Sequence, residues 1–281
     1  MLAFSALVAG SFALGSMAAN LIAPAALNAL RFAIAAAVIG ALAGVTTGLP
    51  RRAAKAPWRY LVLGGLFSGY FVLMFYGLQT AAPVSAAAVF TLTPVMAGGF
   101  GWLLLRQVTT PRMALALAIG GAGALWVIFR GDPAALLAFH VGRGEELYFL
   151  GCIAHAVYTP MVRKLNRGEP PVVFTFGTLL AGTLVMTVFG WHDLRATDWA
   201  HLPAIVWITL IYLALFASAA SFTLLQTATM VLPSAKVMAY TYLVPSWVIL
   251  WQIALGHGSP PATVGVGVGM TALALVLLLR D

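Results

Sequence analysis

Long apolar stretches follow one another along this chain with scarcely a charge inside any of them. A helix needs about 20 consecutive apolar residues to cross the hydrocarbon layer of a bilayer, and about ten such stretches fit here. Only 8% of the residues are charged and 62% are apolar, whereas an ordinary soluble domain carries about 25% charged residues. The mean hydropathy of +0.98 says the same. The chain reads as a polytopic membrane protein, all-α, with no room for a soluble domain. The few polar side chains inside its spans are then the places to look for function.

The predicted spans are 2–19, 27–45, 58–78, 84–105, 111–129, 146–162, 172–190, 203–226, 235–255 and 261–279. Gly, Pro and charged residues punctuate most gaps, as in Gly48-Leu49-Pro50-Arg51-Arg52 and Arg130-Gly131-Asp132-Pro133. The first stretch lacks the basic leader of a signal peptide and more spans follow it, so it is read as the first helix. The lone Cys152 excludes an internal disulfide and a cysteine-based zinc cluster. The net charge of +8 gathers in short loops, which points to a membrane face and not to nucleic acid.

Orientation follows from the basic residues. With the N-terminus inside, Arg51, Arg52, Lys55, Arg59, Arg106, Arg112, Arg163, Lys164, Arg167, Lys236 and Arg280 fall on the cytoplasmic side. Arg130, Arg143 and Arg195 fall on the other, with Asp132, Glu145, Glu146, Asp193 and Asp198. The bias places both termini in the cytoplasm, as an even number of spans also requires.

The two halves resemble each other. Pro83 leads into a span with Pro94 at its middle, and Pro233 leads into one with Pro245 at its middle. Ala116 and Gly120 in the next span correspond to Gly265 and Gly269. The expected architecture is ten transmembrane helices in two five-helix repeats, 1–130 and 146–281, joined by a connecting loop, 131–145. An odd-numbered unit must enter the membrane the second time from the opposite side. Inverted repeats of this kind place a binding cavity at their interface near the midplane.

Candidate cavity residues follow from depth within the spans. Tyr70, Thr91, Thr93, His155, Tyr158, Ser221, Tyr240 and Tyr242 supply the hydroxyl, amphipathic and titratable groups that small-solute pockets combine with apolar walls. Tyr60 and Tyr148, near span ends, read as interface anchors. Pro94, Pro245 and Pro160 are candidate hinges. Each frees the carbonyl four residues earlier, which belongs to Phe90 for Pro94 and to Thr241 for Pro245. The alternative is a plain kink whose freed carbonyl is satisfied by Thr91, Thr93 or Tyr242.

Arg31 and Lys236 lie one turn inside span ends and are read as snorkelling to the nearer interface, with a substrate carboxylate as the alternative partner. Gly65-x-x-x-Gly69 and Gly265-x-x-x-Gly269 are read as close helix packing within the chain. Every Asp and Glu maps to a loop or a helix end. A proton- or cation-coupled exporter would keep a carboxylate in its membrane interior. Its absence favours uniport or exchange of neutral or zwitterionic solutes. No phosphate loop, metal-ligand spacing or nucleophile elbow is seen, so neither cofactor nor metal is expected and the chain does not read as an enzyme.

Arg31-Phe32, Tyr76-Gly77-Leu78, Ser85-Ala86-Ala87, Thr93-Pro94 and Ala154-His155-Ala156-Val157-Tyr158 ahead of Arg163-Lys164 together resemble the EamA-type drug/metabolite transporter superfamily over nearly the whole chain. Within it the pattern is similar to the YddG-type branch, which exports aromatic and other amino acids. His155 stands where tryptophan is usual, and Arg106 and His257 stand near positions that are commonly acidic. The resemblance implies alternating access around a central cavity, in a bacterial inner-membrane protein that exports amino acids and related small metabolites. Its expected partners are a small-molecule substrate and membrane lipid, acting as a monomer. A carrier of sugar phosphates or nucleotide sugars would need several basic residues in the cavity, and only Arg31 and Lys236 qualify. A membrane-embedded enzyme would need a cluster of Asp, His or Ser near one face, and a scaffold subunit a long polar loop; neither is seen.

Overall fold

The structure is a computed structural model that describes residues 1–138, 141–258 and 260–279. His140 and Arg280 lie outside the described residues, so the placement of Arg280 on a basic face has no counterpart here. Among the described residues every regular element is helical. The long segments are α1 (Leu2–Ala18), α2 (Pro24–Thr46), α3 (Trp58–Leu78), α4 (Pro83–Leu105) and α5 (Pro111–Ile128). They continue with α6 (Arg143–Leu165), α7 (Pro171–Phe189), α8 (Ala204–Val231), α9 (Ser234–Ala254) and α10 (Val264–Leu279).

Seven of these, α2 to α5 and α7 to α9, are long and apolar enough to cross a membrane. α1 and α10 are apolar but shorter. α6 has the length, but His155, Pro160 and the charges at its two ends dilute its hydropathy. Proline opens α2, α4, α5 and α7, where its fixed φ suits the first turn and its missing N–H is no loss. Within the expected connecting stretch 131–145, Pro133–Ala138 forms a short helix and α6 already begins at Arg143.

Three long helices are irregular. α4 tightens at Thr91 and Leu92, whose N–H groups reach back only three residues to Ala88 and Val89. α9 tightens to a 3₁₀ turn over Tyr240–Leu243. Both irregularities directly precede the mid-helix prolines, Pro94 and Pro245. The carbonyl of Phe90, freed by Pro94, accepts the hydroxyl of Thr93. α6 runs unbroken through Pro160. α8, expected as a plain helix, widens into a π turn over Leu215–Ala220.

α3 packs along α6, α2 along α7, α5 along α10, and α1 against α8 and α9. The outward faces carry exposed Leu61, Leu103, Leu184, Ile208, Leu250 and Leu273, the inverse of a water-soluble surface. At the α5–α10 crossing a methyl group on Gly123 would stand 2.8 Å from the Gly267 carbonyl oxygen, and one on Gly267 2.6 Å from that of Gly123. The expected close-packing pairs are elsewhere: Gly65, Gly69, Gly265 and Gly269 all face open space. The expected packing at these four glycines is therefore not made, because spacing does not reveal which way a uniformly apolar helix is rotated.

Hydrogen bonds sort the loops into two ends. Arg59 Nη2 donates to Glu169 Oε1 at 2.7 Å and Nη1 to the Leu165 carbonyl at 2.7 Å. Gln107 Oε1 accepts the Ser234 N–H at 3.0 Å at the same end of the bundle. At the opposite end Gln79 Nε2 donates to the Ala19 carbonyl, Ser85 to Glu145, and Trp126 to the Thr263 carbonyl. Arg59, expected in a loop, is instead 1% exposed in the first turn of α3, and Glu169 is buried beside it.

Burial raises the Glu169 carboxyl, but the hydrogen bonds from Arg59 and from the Arg167 N–H, with the charge of Arg59, hold it below its ordinary value. Its stabilisation is therefore complete above the unfolded-state value of about 4.3 and is lost as pH falls through the lower folded value. Thermal unfolding in detergent should show Glu169→Gln less stable than wild type at pH 7, by about 2 kcal/mol, with the gap closing below about pH 4. Gly123→Val should lower stability by about 2 kcal/mol through overpacking, whereas Gly265→Ala, in α10 and facing open space, should not lower the melting temperature.

Candidate functional site

At mid-depth, where five long helices meet, is a void of about 10 Å³. A single water needs roughly 10–15 Å³, so the site is closed to any solute in this conformation. α1 contributes Phe4, Val8 and Ser11 to its wall, and α3 contributes Phe67, Tyr70 and Phe71. Phe90 of α4 and His155 of α6 face it, and Ala217, Ser221, Phe222 and Leu225 of α8 complete it.

The lining is an aromatic cage. The Phe67 ring lies edge-on to Phe222 with centroids 4.1 Å apart and beside Tyr158 at 3.9 Å. The His155 ring is boxed by Tyr70 at 4.6 Å, Phe67 at 5.1 Å and Phe90 at 5.3 Å. Two polar atoms are left over. His155 Nδ1 and Ser11 Oγ are buried without a hydrogen-bond partner. An unmet polar atom deep in a fold is costly and rare, so it calls for an explanation such as a ligand.

Both approaches to the void are sealed. Toward the Gln79 end, the Tyr70 and Tyr148 hydroxyls share a 2.9 Å hydrogen bond, and Phe12 lies edge-on to Tyr148. Tyr148 is 0% exposed, so it is no interface anchor. Toward the Arg59 end, Gln226 Nε2 donates to the Tyr158 hydroxyl at 2.8 Å, and Gln226 Oε1 accepts from Thr175 at 2.9 Å. A separate pocket of about 250 Å³ opens at the Gln79 end, where Ser85, Arg130, Gln252 and His257 contribute polar atoms.

Of the residues expected to share a cavity, the structure brings together Tyr70, His155 and Ser221 on the void, with Tyr158 packed directly behind Phe67. Thr91 and Thr93 are turned to the backbone, donating to the Ala88 and Phe90 carbonyls. Tyr242 lies in a second core between α5, α9 and α10, its ring filling the notch at Gly120, and Tyr240 packs against that core. Pro94 and Pro245 sit at helix irregularities; Pro160 does not.

Arg31 is the largest departure from expectation. It does not snorkel but is 0% exposed. Its Nε donates to Ser218 Oγ at 2.6 Å and its Nη2 to the Ala217 carbonyl at 2.9 Å, inside the π turn of α8. The guanidinium lies 3.7 Å from the Phe71 ring centroid, immediately behind the cavity wall. Lys236, by contrast, is only half-buried. Phe4, Phe67, Phe71 and Phe222 were not expected at the site, since no sequence signal separates a cavity phenylalanine from a lipid-facing one.

The EamA-like transporter family model matches residues 1–129 and 142–280. The chain belongs to that family. It is 24% identical over 259 residues to the uncharacterized transporter YyaM of Bacillus subtilis (strain 168), covering 91% of this chain and 85% of the relative. It is 23% identical over 255 residues to the uncharacterized transporter YetK of the same organism, covering 89% and 77% respectively. A solved crystal structure superposes with a TM-score of 0.75 at 20% identity, covering 98% of this chain and 94% of the other, which supports the fold of this EamA-family protein.

Proposed function

We propose that this EamA-family transporter moves amino acids, aromatic and other neutral ones, and related small metabolites out across a bacterial inner membrane. It does so by alternating access, as a uniporter or exchanger. The observation that carries the reading is the closed cage at mid-depth, whose aromatic walls leave His155 Nδ1 and Ser11 Oγ unpartnered. A void this small, sealed toward both ends, suits an occluded intermediate between two open forms.

Ten spans in two oppositely inserted repeats, 1–130 and 146–281, fit the arrangement. Supporting features are the two matched stretches of the family model, the paired irregularities in α4 and α9, and the cross-half pairing of α2 with α7 and α5 with α10. The basic residues of the Arg59 end make it the cytoplasmic side. No acidic side chain lines the void, which fits transport without an obligatory proton relay.

Purified protein in liposomes should catalyse counterflow of neutral amino acids with no imposed proton gradient; strict dependence on such a gradient would count against the reading. His155→Ala should alter the rate or the order of substrate preference by roughly tenfold, since it removes a polar contact and part of the cage. Unchanged counterflow of every substrate would remove His155 from the site.

A further inference from the structure

Among the described residues two arginines, Arg31 and Arg59, are almost wholly inaccessible, and they are treated differently. Arg59 has Glu169 at 2.7 Å. Among the described residues Arg31 has only neutral acceptors: Ser218 Oγ at 2.6 Å, the Ala217 carbonyl at 2.9 Å and Asn28 Oδ1 at 3.5 Å. A buried cation without a counter-ion is expensive, and in a membrane interior it marks a functional site. Phe71, stacked on the guanidinium, and Ala217, its acceptor, are also walls of the central void.

The Ala217 carbonyl also accepts the Ser221 hydroxyl at 2.9 Å, so it stays satisfied when Arg31 leaves. A void of about 10 Å³ must widen before it can hold a solute. Parting α8 from α1 and α3 makes that room and withdraws Ser218 and Ala217 from the guanidinium. An anion arriving there meets one positive charge and no acidic side chain.

We propose that Arg31 is the counter-ion for a carboxylate on the transported solute, with Ser11 and His155 receiving its remaining polar groups. This rests on the transport reading of the same cavity and narrows its substrates to small carboxylates. A zwitterion places its ammonium against the aromatic faces, where cation–π attraction replaces an acidic partner.

The test uses the full chain in liposomes and a competition series against counterflow of labelled leucine. The competitors are leucine, leucinamide, leucine methyl ester, the decarboxylated amine and the deaminated acid; direct binding of each is read by thermal shift. In wild type the free acids should outcompete the amide, ester and amine by at least about tenfold, since a site built for a polar group rejects analogues that lack it. Arg31→Lys should keep the preference and Arg31→Gln should abolish it. The wild-type series stands even if Arg31→Gln fails to fold.

Equal competition by acid and amide in wild type overturns the Arg31 assignment while leaving amino-acid transport standing. So does a folded Arg31→Gln protein that keeps the preference. Binding of the deaminated acid with refusal of every amino acid does the reverse: the counter-ion survives and the amino-acid reading falls. Absence of binding or transport of every amino acid and of the deaminated acid overturns both.

Discussion

Hydrocarbon offers no hydrogen bonds, and that single constraint organises the molecule. Every polar group in a span must find its partner inside the protein. Most hydroxyls do so locally: Thr159, Thr178, Thr183 and Thr223 each donate to the carbonyl four residues earlier on their own helix. Longer polar groups reach across helices, as in the Thr175–Gln226–Tyr158 chain and the Tyr70–Tyr148 pair. Against that background of satisfied groups the exceptions stand out, and two of them, Ser11 and His155, share one void. Function is visible here as an unmet requirement.

The two halves solve a similar problem in different ways. In α4 the carbonyl freed by Pro94 is taken by Thr93, so the bend is fully accounted for. In α9 the residues before Pro245 wind into a 3₁₀ turn, and Thr241 Oγ1 and the Tyr242 hydroxyl have no partner. Tyr242 adds a bulky ring where α5 has only Gly120. The π turn in α8 is a third device: an extra residue in the turn aims the Ala217 carbonyl at Arg31 instead of along the helix. Such bulges recur at functional sites because they release backbone groups for other work.

The spans were legible because long apolar runs bounded by Pro, Gly and charge leave little else for the backbone to do. The bends in α4 and α9 were legible from their prolines, and His155 from being a polar ring deep in a span. What could not be read was rotation about each helix axis. An amphipathic helix announces its inward face, but these helices are apolar all round. Sequence therefore points Arg31 outward where the structure buries it, makes Tyr148 an anchor where it is sealed inside, and makes Gly65 and Gly265 contacts where they face open space. The π turn had no marker at all, since Leu215 to Ala220 contains neither proline nor glycine.

The Gly123–Gly267 crossing has a mechanical corollary. Main chain rests on main chain there, with each carbonyl set against the other helix's bare Cα. The side chains of Trp126, Val127, Met270 and Thr271 flank the contact closely. Neither glycine leaves space for a side chain, so the two helices are held at backbone-contact distance there, and any larger residue at position 123 or 267 would wedge them apart.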